Sequence, residues 1–402
     1  MVIEHWMLAE TSVRYKHLTT GMMSQSMRSH VTPRPAAILI SLLALYGSLA
    51  FAQETSTDTR PGIAPDIRED ETNLKVQRGD FVVVPIPISN PTLDSGLVAG
   101  AAYFYAQTEE QKKAQPASLT AAAAMYTSND SRALVLVQQN YWRDNTWRFT
   151  GAVGAADLRL SLIAPDQSAN GQSVDWRING DFLFAKLSRR LHGHWYGGLN
   201  LRMVNADQSI ETGTGIEGFD EDADVRSSGL GLGIEYDSRD MPMNTFSGRY
   251  FKADALFNDE AIGSNETYQS FSIAYRSYHE LNDSLVLAWE IQGCQRGGTA
   301  PLWDACTIKL RGFSATDYLG KASASTQVEA RWRLSKRWGL VGFGGSGFVG
   351  DSFSGVREHE DIPSYGVGLR FSVLPAKRIN MRLDFARSVN SDAIHFSVGE
   401  AF

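Results

Sequence analysis

The chain has 402 residues, a formal net charge of −7 and only two cysteines. That length admits one large domain or two ordinary ones, and mild acidity with scattered Lys and Arg gives no support to nucleic-acid binding. There are 36 glycines and 10% aromatic residues, and long amphipathic helical patterns are missing, so many short strands with Gly-rich turns are expected.

Arg28 and Arg34 precede an apolar run over residues 36–51 that closes on Ala50-Phe51-Ala52. A basic region, an apolar region and an Ala-x-Ala site describe a secretory signal peptide, and the run is short for a membrane anchor. Residues 1–52 therefore read as an upstream extension plus signal peptide, with a conventional start at Met27 and cleavage after Ala52. Residues 53–79 are polar, charged and Pro-containing, and read as a periplasmic leader. Residues 80–402 read as one β domain.

The first strand, 80–89, carries Pro85 and Pro87. Each proline removes a ladder donor, which places the strand at an edge or seam. Strands follow at 96–107, 118–127, 132–142, 145–153, 173–187, 194–204, 229–237, 249–257, 268–278, 284–293, 326–334, 338–348, 364–373, 379–387 and 393–402. Their signature is alternation of period two: Leu199, Leu201 and Met203 oppose Asn200 and Arg202, and Val328, Ala330, Trp332 and Leu334 oppose Gln327, Glu329, Arg331 and Arg333. Short connections (191–193, 279–283, 335–337, 374–377) trade places with long ones (163–171, 207–225, 295–325, 350–363). The connection 108–116 breaks that rule.

Arg148, Arg177, Asp181, Arg202, Lys252, Asp254, Arg276, Glu290, Glu329, Arg331, Arg370, Arg382 and Asp384 fall on the non-apolar sides of their strands. A soluble sandwich with this sequence would expose an apolar patch too large to tolerate. A closed barrel in a membrane puts the apolar side against lipid and the charged side in a lumen. The fold class is therefore all-β: a transmembrane antiparallel β-barrel of about sixteen strands, an even number within the outer-membrane range. Its surroundings are outer-membrane lipid. Ile394, Phe396 and Val398 lead to Phe402, an aromatic-ended strand of the kind presented to the outer-membrane assembly machinery, a partner for the barrel's own insertion.

The connection 295–325 carries Leu310-Arg311-Gly312-Phe313. Arg311, a fixed charge with five donors, suits a loop tip held against carboxylates inside a lumen. Glu329 is the expected partner, with Glu290 and Asp384 as the other carboxylates in play and Arg331 beside them. Cys294 and Cys306 lie at the start of the same connection and read as a disulfide in an oxidising compartment. No Cys-x-x-Cys and no ligand-spaced His accompany them, so no metal is expected. The glycines of 342–347 lack the Lys-Ser/Thr of a phosphate loop, and Ser346 lacks the spacing of a nucleophile elbow. His395 stands alone. Neither a catalytic set nor a cofactor is expected.

Several motifs in order carry a resemblance: Leu310-Arg311-Gly312-Phe313 followed by Glu329-Ala330-Arg331; Glu235-Tyr236-Asp237-Ser238-Arg239-Asp240 with Pro242 and Gly248; Gly366-Val367-Gly368-Leu369-Arg370-Phe371; and the end from Phe396 to Phe402. Over residues 80–402, most strongly from Arg226, the chain resembles the bacterial surface antigen barrel of the BamA/TamA family. The resemblance implies a loop, the sixth external one, folded inward between the eleventh and twelfth strands. It also implies insertion or translocation of polypeptide clients by lateral opening between the Pro-bearing first strand and the last. Two departures stand out. Residues 53–80 leave no room for the POTRA domains the family uses to receive clients, and Gly345 stands where the family places an acidic partner for the loop arginine. A passive pore or small-solute channel without clients is the alternative.

Overall fold

The computed structural model describes residues 79–163, 173–211, 223–242, 244–353, 362–375, 378–389 and 392–402. The expected signal peptide, its cleavage site and all of the leader but Gly79 lie outside them.

In chain order the strands are β1 (Asp80–Asn90), β2 (Asp94–Phe104), β3 (Leu119–Thr127), β4 (Arg132–Trp142), β5 (Trp147–Ile163), β6 (Ser173–His192), β7 (Trp195–Glu211), β8 (Ala223–Asp237) and β9 (Gly248–Asn258). They continue as β10 (Tyr268–Asn282), β11 (Leu285–Gly298), β12 (Cys306–Thr307), β13 (Leu319–Gly320), β14 (Ala322–Arg333), β15 (Trp338–Gly350), β16 (Ile362–Leu374), β17 (Ile379–Ser388) and β18 (Asp392–Val398). All but β12 and β13 pair antiparallel with their neighbours into one closed barrel of sixteen strands. Those two pair with each other inside the β11–β14 connection. Strand pairing is what makes the sheet compatible with lipid, because between fully paired strands no row of backbone donors and acceptors is left facing hydrocarbon. The connection 108–116 contains a short helix, Glu109–Ala114, held by a Thr108/Gln111 capping box.

Closure is uneven around the ring. All 11 residues of β1 face β2, and all 7 of β18 face β17. Between β1 and β18 one register pair remains, Ser89 with Phe396. Pro85 and Pro87 lie in β1, opposite Ala99 and Leu97, and deprive that strand of two donors.

Period-two alternation sorts side chains as expected in most strands. On β4, Leu134 and Leu136 are exposed to lipid while Val135 and Val137 are buried inside. The upper part of β6 reverses the expectation. Trp176, Ile178 and Phe182 are buried on the inner face, whereas Arg177 and Asp181 point outward. Arg177 there pairs with Asp157 at 2.7 Å, and Arg132 joins the same carboxylate. The reason is length. β5, β6 and β7 run 17, 20 and 17 residues, well beyond the ~9–11 that cross a bilayer. Their outer ends rise past the lipid, so the outer face meets water and the inner face closes a buried apolar core.

The lumen consequently has two unlike walls. Inside β1 to β7, Val98, Leu119, Met125, Val135, Leu158, Trp176 and Ile178 belong to one buried apolar cluster. Inside β8 to β18 stand Glu235, Lys252, Asp254, Arg276, Glu290, Glu329, Arg331, Arg370 and Asp384. At the periplasmic mouth the β8–β9 connection reaches across to the far strands. Asp240 pairs there with Arg378, and the Phe246 ring lies between the guanidinium groups of Arg333 and Arg378, 4.2 and 3.9 Å from its centroid.

Candidate functional site

The β11–β14 connection is tethered at its start by the Cys294–Cys306 disulfide, which ties it to the inner face of β11. Two further anchors follow within the tethered segment. The Trp303 ring joins the apolar wall, and Asp304 is gripped by Arg202 at 2.6 Å, Arg296 at 3.0 Å and Ser270 at 2.9 Å. Burial pushes the Asp304 carboxyl up, but the two guanidinium groups outweigh it and hold the acid down at about 2.

From this anchored base the tip reaches the charged wall. Arg311 is buried and donates to Asp384 Oδ2 on β17 at 2.8 Å, to Gln327 Oε1 on β14 at 2.9 and 2.6 Å, and to the Glu329 carboxylate on β14. Its guanidinium carbon lies 3.4 Å from the centroid of the Phe343 ring on β15. Its carbonyl accepts from the Ser364 hydroxyl on β16. Four consecutive barrel strands thus hold one residue, three of them through its side chain and β16 through its backbone carbonyl.

The arginine is the middle of a longer chain of alternating charge. Arg331 bonds Glu329, Glu329 bonds Arg311, Arg311 bonds Asp384, Asp384 bonds Arg370, and Arg370 bonds Glu400 at 2.7 Å. Each internal member has an opposite charge on both sides, which is what allows so many ions to be buried together. Removing one partner from such a pair leaves an uncompensated buried charge at a cost of about 3–5 kcal/mol.

Gly312 has φ +100°, a left-handed value that favours glycine. This turn directs its N–H to Nε2 of His395 on β18 at 3.1 Å. Ile308, Leu310 and Phe313 form a small apolar cluster against Val349 and Ile362, and Phe313 meets Tyr318 edge to face. Beyond it, Ala315 N–H donates to Thr92 Oγ1 in the β1–β2 turn at 2.8 Å, and Thr316 Oγ1 donates to the Ser161 carbonyl on β5 at 2.6 Å. The loop therefore touches both sides of the weakly paired seam, at Thr92 beside β1 and at His395 on β18.

Of the residues singled out in the sequence, Arg311, Glu329, Arg331 and Asp384 come together. Glu290 does not join them and is engaged by Arg276 at 2.6 Å. Gly345 offers no carboxylate; its missing side chain leaves room for Leu310, whose Cδ2 would lie 3.0 Å from a Cβ at that position. Asp384, one strand further than β16, supplies the second acid instead. Phe396 stands in the single seam pair. Phe402 is not part of the last strand, which ends at Val398: Gly399, at φ +94°, turns the chain inward. The Phe402 carbonyl then accepts from Arg331 Nη2 at 2.8 Å, and its ring faces Tyr278. Gln327, Phe343, Ser364, Arg370, His395 and Glu400 were not apparent as partners. His395 shares a register position with Asp384, and that pairing was the available signal.

A model of the Omp85 superfamily domain matches residues 115–402. Comparison with curated proteins by sequence finds no match. Among solved structures, BamA from Haemophilus ducreyi lacking POTRA domains 1–3 is similar at TM-score 0.55 and 12% identity, over 80% of this chain and 69% of that one. CdiB from Acinetobacter baumannii is similar at TM-score 0.54 and 13% identity, over 80% of this chain and 60% of that one. CdiB from Escherichia coli gives 0.52 and 8%, over 81% and 68%. At such identities these structures speak to the fold, while the domain match covers most of the sequence. The chain belongs to the Omp85 superfamily and is an outer-membrane β-barrel of that family.

Proposed function

We propose that this barrel inserts or translocates polypeptides at the outer membrane by opening laterally between β1 and β18, with the Arg311 loop setting whether the seam is held shut. It is read as a transporter or insertase and not as an enzyme. The observation that carries the reading is the coincidence of two features. The barrel closes through one register pair, Ser89 with Phe396, and the loop bonds to groups on both sides of that closure, at Thr92 and His395. A seam with so few ladder bonds separates at far lower cost than any other strand pair in the ring, since each backbone bond contributes about 0.5–1.5 kcal/mol. Undocking the loop removes the clasp.

The test is a cysteine lock. Ser89→Cys with Phe396→Cys closes the seam covalently, and either single variant is the control. The locked barrel is expected to stop supporting the abundance of other outer-membrane proteins in cells that depend on it, while the single variants continue. A locked barrel that works like wild type overturns lateral opening and favours a passive channel.

A further inference from the structure

We propose that the periplasmic mouth between β14, β15 and β16 is a binding site for the phosphate of an anionic membrane lipid. A cavity of about 260 Å³ opens there beneath the β8–β9 connection. Six cationic side chains line it against one carboxylate, Glu400. Four of the six are already matched: Arg331 by Glu329, Arg333 by Glu280, Arg370 by Asp384 and Glu400, and Arg378 by Asp240. Lys336 and Arg337, both exposed in the β14–β15 turn, have no carboxylate partner among the described residues. The cavity thus carries two positive charges that the protein does not balance.

A second, independent observation separates this place from an ordinary basic turn. Arg370 is 4% exposed, yet its Nη2 finds no acceptor in the protein. A buried guanidinium donor left unmet costs about 1–3 kcal/mol, and this one belongs to a side chain lining the cavity. The unmet donor adds to the positive character of the cavity wall, and a tetrahedral anion with several acceptor oxygens neutralises the two turn cations together.

The flanking residues point to a lipid as the source of that phosphate. Trp332 and Trp338 border the same cavity and are 43% and 52% exposed on the outer face of the barrel. Tryptophans at this level anchor at the headgroup zone of a bilayer. Basic residues beside a membrane-embedded surface recruit anionic headgroups. Acyl chains can lie over Trp332, Trp338 and Leu340 while the phosphate meets Lys336 and Arg337.

The full chain, delipidated in detergent, is mixed with equal amounts of dioleoyl phosphatidylglycerol and dioleoyl phosphatidylcholine, and retained lipid is measured by native mass spectrometry. The wild type is expected to favour the anionic lipid by roughly tenfold, the effect of one charge-assisted bond to phosphate. Lys336→Gln with Arg337→Gln is expected to erase that preference, and Lys336→Arg with Arg337→Lys to keep it. Both pairs lie in an exposed turn, and heat-modifiability reports that the barrel is intact. Equal retention of both lipids by wild type and the Gln pair overturns the site. Displacement of the lipid by millimolar inorganic phosphate overturns the lipid as its ligand and assigns the cavity to free phosphate.

Discussion

Arg311 and Asp384 meet at 2.8 Å although 73 residues separate them along the chain. The contact joins a loop tip to the inner face of β17, next to the last strand of the barrel. Because Asp384 is also held by Arg370, and Glu329 by Arg331, the loop arginine is the link between two halves of one charge chain.

Arg311→Ala breaks that link and leaves Glu329 and Asp384 facing each other's surroundings with half their partners gone. The expected loss is about 3–5 kcal/mol of docking free energy. Limited proteolysis of the loop in intact cells measures it: cleavage within residues 308–318 is expected to become fast in the variant. Arg311→Lys is expected to fall short of rescue, since a point charge cannot serve Asp384, Glu329 and Gln327 together.

His395 acts as an acceptor for the Gly312 N–H. His395→Ala leaves that donor unmet, at about 1–3 kcal/mol. Hydrogen exchange at Gly312 is expected to quicken while exchange in β10 and β11 is unchanged. His395→Gln, which can place an oxygen near Nε2, is expected to restore protection. Equal exchange in all three proteins contradicts a clasp at β18.

The disulfide and Asp304 secure the base of the loop. Cys294→Ser with Cys306→Ser releases a short closed segment, for which chain entropy gives roughly 3 kcal/mol. Trp303 and Asp304 are then expected to leave the wall more readily, read as greater labelling of a cysteine placed at Leu302.

Asp304 also sets a pH limit. Its folded value, about 2, lies below its ordinary 3.8, so its pairing with Arg202 and Arg296 stabilises docking fully above about pH 4. That contribution is lost as pH falls through about 2. Loop protection from pepsin is therefore expected to hold at pH 4 and fail near pH 2. In Asp304→Asn the protection is expected to be weak throughout that range.

Much of this was legible in the chain. The sixteen strands follow from period-two alternation, and their order from the turns between them. What alternation could not show was how far a strand continues once it leaves the bilayer. In β6 the pattern of Arg177, Asn179 and Asp181 is regular, but the solvent on each side has changed, so the same alternation puts charge outside. The site was partly readable as well. Arg311, Glu329 and Asp384 could be named together as a charged set, whereas His395 comes to the loop only through its register with Asp384. Gly345 gave a true signal of absence: the missing acid there is replaced from β17 by Asp384, one of the carboxylates the sequence already offered. Phe402 reads as a strand end by composition, and only the left-handed Gly399 turns it inward.

In the function proposed above, the loop docked through Arg311 fills the lumen and holds the seam. Single-channel conductance of the purified chain in planar bilayers tests it most directly, wild type beside a deletion of residues 308–318 that keeps the Cys294–Cys306 bridge. The wild type is expected to show a small, flickering conductance that becomes large and steady in the deletion. A large, steady wild-type pore that the deletion leaves unchanged contradicts it.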